Sequence, residues 1–145
     1  MARYGDCRST EVAAPPQRCF DLLTDFERLP QWQEAVKSVR VLERDEQGRG
    51  SLVEFEVDAR VKTVRYRLRQ VYDPPERLGS EYAGGDFRDL SGEWRFIPVD
   101  GGARTRVELD LRIDPGRFVP GPLRGAISDA VMKRSLRDLE ARVGT

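Results

Sequence analysis

The sequence predicts an α+β fold: a curved, seven-stranded antiparallel sheet wrapped around one long C-terminal helix, with two short helices after the first strand. Three observations carry this. Segments Val53 to Ala59 and Val64 to Tyr72 alternate residue by residue, with Glu54, Glu56 and Asp58 on one face of the first and Arg65, Arg67 and Arg69 on one face of the second. Arg104 to Ile113 alternates in the same way, placing Val107, Leu109 and Leu111 opposite Arg106 and Arg112. Last, Leu123 to Val143 carries Leu123, Ile127, Val131, Met132, Leu136, Leu139 and Val143 at helical spacing, a broad apolar stripe with charge elsewhere. Pairing the two charged strands so that Asp58 meets Arg65, Glu56 meets Arg67 and Glu54 meets Arg69 puts acid against base outside and leaves Phe55, Val57, Tyr66 and Leu68 facing inward.

In chain order, Ser9 to Ala14 reads as the first strand, stopped by Pro15-Pro16. Proline is tolerated at a helix start because its missing N–H would be unpaired there. A helix follows from Pro16 to Phe26, with Cys19, Phe20, Leu22, Leu23 and Phe26 at helical spacing, then a break and a second short turn at Leu29 to Trp32. Val36 to Glu43 is the second strand, and Glu46 to Gly50 its turn. After the charged pair come a strand from Leu78 to Ala83, a turn at Gly84-Gly85-Asp86 and a strand from Leu90 to Phe96. Gly92 in mid-strand suggests a bulge or a tight approach by the helix. Asp100-Gly101-Gly102 turns the chain into the seventh strand. Asp114 to Pro122, rich in Gly and Pro, reads as a stiff, partly apolar loop before the final helix.

At 145 residues the chain has the size of a single domain, 1–145, with a substantial core. Lys plus Arg and Asp plus Glu are both 25, so the net charge is zero, the wrong balance for gripping a phosphate backbone, and no nucleic-acid partner is expected. The arginines 104, 106 and 112 read as a solvated sheet face. No stretch has the length and apolarity of a signal peptide or a membrane span, which predicts a cytoplasmic protein with no stable membrane insertion. Histidine is absent. That removes the triad and Cys–His nucleophile systems and the commonest zinc ligand, and two loosely placed cysteines, Cys7 and Cys19, supply neither a metal site nor a disulfide framework. No metal and no cofactor is expected.

The element order, together with Glu11 to Pro15, the run Phe20-Asp21-Leu22-Leu23-Thr24-Asp25-Phe26-Glu27-Arg28-Leu29-Pro30-Gln31-Trp32 and the run Leu90-Ser91-Gly92-Glu93-Trp94-Arg95-Phe96-Ile97-Pro98, resembles the START-like helix-grip (SRPBCC) superfamily. Within it the chain is most similar to the branch of polyketide cyclase/dehydrase and coenzyme-Q-binding proteins. The resemblance covers nearly the whole chain. It implies a hydrophobic cavity between the curved sheet and the last helix, on a fold that carries lipid carriers, quinone-binding proteins, aromatic polyketide cyclases and ribosome-associated proteins with no catalytic residue common to all.

Strand and helix phases nominate the cavity's lining. From the strands come Phe55, Val57, Tyr66, Leu68, Tyr72, Tyr82, Trp94, Phe96 and Leu109, and from the helix Ile127, Val131, Met132 and Leu136. Trp32 and Phe118 with Val119 stand in segments suited to a mobile rim. The polar atoms on this face are few: the three tyrosine hydroxyls, the Trp94 N–H, Gln70 and Thr105. An apolar pocket with a few directional groups suits a small hydrophobic ligand, whereas the same aromatic residues would equally serve as plain core. The expected function is binding or transport of a small hydrophobic molecule such as a quinone, a lipid or a polyketide. An aromatase/cyclase is the alternative, drawing on Tyr66, Tyr72 and Arg134, although the inner face holds no paired carboxylates for acid–base work. A ribosome-associated module that binds a protein partner is a third.

Overall fold

The structure is a computed structural model that describes residues 4–58, 62–114, 116 and 121–143, and the side chains of all of these except 4–6 and 121–127. Strand β1 (Tyr4–Val12) leads through helix α1 (Pro16–Thr24) and a 3-10 turn (Phe26–Gln31) to β2 (Val36–Arg44), β3 (Gly50–Asp58), β4 (Thr63–Asp73), β5 (Arg77–Gly85), β6 (Asp89–Val99), β7 (Arg104–Asp114) and α2 (Gly121–Val143). The sheet has seven strands in the order β1-β7-β6-β5-β4-β3-β2, antiparallel throughout. This is the helix-grip α+β fold.

Sheet-paired partners lengthen several elements beyond what local pattern shows. β1 begins at Tyr4, where Ile113 of β7 opposes it, instead of at Ser9, and it ends at Val12. α2 begins at Gly121, so Pro122 lies in its first turn, where a proline removes no helical hydrogen bond. The expected loop 114–122 is therefore shorter by two residues at its C-terminal end. Gly84 and Gly85 belong to β5, and Gly85, at φ +138°, runs so close to Tyr66 that a Cβ there would lie 2.5 Å from the Tyr66 Cα. Only glycine fits that approach.

The β3–β4 register differs from the expected one by two residues. Glu54 opposes Arg67, Glu56 opposes Arg65 and Asp58 opposes Thr63. An even shift keeps every side chain on its face, so charge still meets charge: Arg65 Nη2 lies 2.8 Å from Glu56, and Arg67 Nε 3.1 Å from Glu54. Outer-face charge does not dictate this register, since the expected one would match one acid–base pair more. The inner face does, because this one sets Phe55 against Tyr66 with stacked rings 5.6 Å apart and Val57 against Val64.

The layers above the concave face leave its centre uncovered. α2 packs chiefly on β1 and β7, α1 on β6 and β7, and the 3-10 turn on β2. Arg8 of β1 reaches Asp129 of α2 at 2.5 Å, Lys133 joins that carboxylate at 3.0 Å, and Thr10 donates to Glu140, fastening helix to edge strand. At the other flank Gln33 donates to the Ser135 carbonyl at 3.2 Å and the Glu34 N–H to Asp138 at 2.8 Å. Between these two fastenings the middle strands face a gap.

Candidate functional site

That gap is a cavity of about 140 Å³. Among the described residues its walls are almost wholly apolar. β3 and β4 contribute Phe55, Val57, Val64, Tyr66, Leu68 and Gln70, and β5 and β6 contribute Leu78, Ser80, Leu90, Gly92 and Trp94, with Phe87 between them. β7 adds Leu109, Leu111 and Ile113. The other side is closed by Leu23, Phe26, Leu29, Gln33, Ala35, Val36, and Val131 and Ser135 of α2. No Asp, Glu, Lys or Arg is among these residues, and Tyr66 alone has a titratable side chain.

The polar atoms fall into two groups. Tyr66 and Gln70 are four residues apart on one face of β4, roughly 13 Å along the strand. Burial pushes the Tyr66 phenol well above the ordinary tyrosine range, and its hydroxyl makes no hydrogen bond to the described residues. It is a neutral donor, unsuited to act as a base. Gln70 is buried beside Ser80, whose hydroxyl donates to its carboxamide oxygen at 2.8 Å. Opposite stand Ser135 of α2 and, from the segment between the 3-10 turn and β2, the Gln33 carboxamide, engaged with the Ser135 carbonyl.

Of the residues nominated from sequence, Phe55, Val57, Tyr66, Leu68, Trp94, Leu109 and Val131 line the cavity. Six others do not. Tyr72 donates its hydroxyl to the Gly50 carbonyl at 2.5 Å under the Arg49 guanidinium; burial, with the Asp45 carboxylate nearby, pushes its phenol up to about 12. Tyr82 donates to the Phe87 carbonyl at 2.6 Å. Phe96 is sealed in the core, edge-on to Phe20 and stacked with Trp94. Met132 and Leu136 are buried core residues of α2, one position from the cavity-facing Val131 and Ser135: a stripe as broad as this one has two sides, and the cavity takes only one edge of it. Trp32 packs against the core as the residue after the 3-10 turn, while its neighbour Gln33 reaches the cavity. Phe118 lies outside the described residues, as does the side chain of Ile127.

Arg134, considered for catalysis, is buried with its Nε unpartnered; its nearest carboxylate, Glu34, stands 4.0 Å away, and it is not part of the lining. Thr105 is fully buried and donates to the Ala14 carbonyl at 2.7 Å. Gly92 makes neither a bulge nor a helix contact. It pairs in register with Ser80 and Leu111 and leaves space in the cavity wall.

Several lining residues were missed although strand parity carried them. Leu78 and Ser80 share a face with Tyr82, Leu90 and Gly92 with Trp94, and Leu111 and Ile113 with Leu109. Ser135 is one helical turn from Val131. Leu23, Leu29 and Gln33 had no such signal, since only the docking of α1 and the following turn brings them over the sheet.

The family model described as polyketide cyclase / dehydrase and lipid transport matches residues 12–140. The chain belongs to this family. A curated relative, the granaticin polyketide synthase bifunctional cyclase/dehydratase of Streptomyces violaceoruber, is 32% identical over 90% of this chain, which spans 40% of that protein's length. The ribosome association toxin RatA of Pseudomonas aeruginosa is 28% identical, covering 74% of this chain and 72% of its own. Among solved structures, a START superfamily protein from Mycobacterium smegmatis superposes with a TM-score of 0.88 at 25% identity, covering 97% of each chain. No helix among the described residues is long and apolar enough to cross a membrane.

Proposed function

We propose that this family member binds a small, neutral, hydrophobic molecule, a quinone, lipid or polyketide fragment, in the cavity between the sheet and α2, and that it binds without transforming it. The observation that carries the reading is the lining itself: an apolar, uncharged cavity with the Tyr66 hydroxyl and the Gln70 carboxamide nitrogen unmatched among the described residues. Buried polar groups are ordinarily paired by their own protein, so an unmatched pair in an apolar cavity suits a guest with hydrogen-bonding atoms of its own. A cavity of about 140 Å³ has the scale that admits a single aromatic ring, so it would hold one end of a larger molecule. Native mass spectrometry of the gently purified chain tests this. An apolar adduct at one per chain is expected, together with a tryptophan fluorescence response to added ring ketones through Trp94. Bare protein mass and no fluorescence response would overturn it.

The likeness to a polyketide synthase cyclase/dehydratase supports a second reading, in which Tyr66 polarises a carbonyl of a folded poly-β-ketone chain. Its signature is a changed product pattern when the protein is added to a synthase making such chains, abolished by Tyr66→Phe. Turnover of that kind would replace the binding-only reading.

A further inference from the structure

We propose that the row Gln70–Ser80–Gly92, running across β4, β5 and β6, is a subsite for the carbonyl oxygen of a neutral ring ketone, with Gln70 and Gly92 setting ligand specificity. The inference rests on the binding function proposed above and deepens it.

The three residues are register partners, Gln70 opposite Ser80 and Ser80 opposite Gly92, so their side chains share one line on the concave face. Ser80 gives its proton to the Gln70 carboxamide oxygen at 2.8 Å, which fixes the amide plane and turns the nitrogen's two hydrogens away from Ser80. That nitrogen has no hydrogen-bond partner among the described residues. It is not sealed either, because Arg134 Nε is the one buried, unpartnered side-chain atom there, and Gln70 borders the cavity. The amide therefore leaves both its N–H donors unused, while its oxygen is engaged by Ser80. A leucine at this place would pack without an unpaired polar group, so the arrangement is costly unless a guest supplies the acceptor.

Gly92 provides the room. It lies between Leu90 and Trp94 on the same face, and a Cβ there would meet only Leu111 Cδ1 at 3.4 Å and the Asp110 carbonyl at 3.8 Å, both ordinary contacts. The backbone does not require glycine, since Gly92 is not among the positive-φ residues. What glycine supplies here is space in the cavity wall two residues from Trp94, on the row that ends at Gln70. With no cation in the lining, a carboxylate is disfavoured and a neutral carbonyl is the fitting acceptor.

Acetophenone and ethylbenzene, similar in size and differing by a carbonyl oxygen in place of two hydrogens, separate this subsite from general apolar binding. Both are titrated by NMR against the full chain and against Gln70→Met, Ser80→Ala and Gly92→Val. Gln70→Met is expected to weaken acetophenone by roughly threefold to tenfold and leave ethylbenzene unchanged, the range a single hydrogen bond supplies. Ser80→Ala should move acetophenone in the same direction by less, which keeps the test alive should the methionine variant fold poorly. Gly92→Val should weaken both ligands while the thermal midpoint holds. If both probes bind and the Gln70 and Ser80 variants move them equally, or if Gly92→Val changes neither, the subsite is wrong and the cavity function survives. If neither probe binds the unaltered chain, the function beneath it falls as well.

Discussion

The two ends of the concave face use the same residue types to opposite effect. At the filled end, Gly50 of β3 lies against Phe26 and Val53, where a Cβ would find the Phe26 ring at 3.2 Å and the Val53 methyl at 3.1 Å, and Tyr72 closes its hydroxyl onto the Gly50 carbonyl. Along the open part of the face, Gly92, on the row of Gln70 and Ser80, borders empty space, and four residues further along β4 the Tyr66 hydroxyl has no partner among the described residues. One glycine admits a protein ring, and the other leaves room for something else. Identity alone cannot distinguish a packing residue from a pocket residue; the neighbours above the sheet decide. Phe20 packs edge-on to Tyr72, and Phe26, which also borders the cavity, covers Gly50, while the space between the two fastenings of α2 leaves Gly92 and Tyr66 open.

The largest contrast should lie on α2, between adjacent residues. Met132 is buried to 1% exposure and Val131 borders the cavity. Met132→Ala is expected to destabilise by about 2–5 kcal/mol, because it opens a new void in filled core. Val131→Ala enlarges space that already exists and should cost about 1 kcal/mol or less, while admitting larger ligands. Urea unfolding of the two variants measures the difference. Equal losses would show that α2 faces filled core on both sides.

Next comes the glycine pair. Gly50→Val drives two methyl groups into Phe26, itself only 5% exposed, and should cost about 1–3 kcal/mol by overpacking. Gly92→Ala meets no close contact and should leave stability level or slightly raised, since alanine loses less backbone entropy than glycine on folding. Similar unfolding midpoints for both variants would break the distinction between the ends.

Much of this was legible before any coordinates. Strand parity and the terminal apolar stripe give the sheet, its inner face and the long helix, because each is a local property of alternation or helical spacing. The identity of the concave face followed as well, with Phe55, Tyr66, Leu68 and Trp94 on it. What local pattern could not carry was depth. Tyr72 and Tyr82 share Tyr66's face, yet both find backbone carbonyls, at Gly50 and Phe87, whose positions depend on the β3 start and the β5–β6 turn. The β3–β4 register escaped for a related reason: a two-residue slip keeps every side chain on its face and still matches Glu54 and Glu56 with arginines, losing only the Asp58 pair, so the deciding contact was Phe55 on Tyr66, an inner pair.

A smaller effect separates the tyrosines. Tyr72→Phe leaves the buried Gly50 carbonyl without its hydroxyl donor and should cost about 1 kcal/mol in unfolding experiments. Tyr66→Phe removes a hydroxyl that pairs with nothing among the described residues, so stability should hold within about 0.5 kcal/mol. A ligand that uses that hydroxyl should bind weaker by about 0.5–1.5 kcal/mol. A marked loss of stability in Tyr66→Phe would reveal a partner for its hydroxyl and erase the contrast.

The smallest expected effect is none, and it sets the cavity against the charged fastening of α2. The Asp129 carboxyl is held below its ordinary range by the Arg8 guanidinium and Lys133. Its contribution to stability is therefore present above the ordinary carboxylate value of about 3.9 and fades as pH falls through the lowered folded value. Tyr66 shifts the other way: its raised phenol supports the fold below the ordinary tyrosine value of about 10, and that support fades as pH rises through the folded value. Both windows lie outside the neutral range, and among the described residues neither Asp129 nor any other charged side chain lines the cavity. Ligand affinity measured from about pH 6 to about pH 9 should accordingly be flat, as no lining group changes charge there. A slope within that interval would place a titrating group against the ligand, and the uncharged lining that separates the open end from the rest of the molecule would no longer describe it.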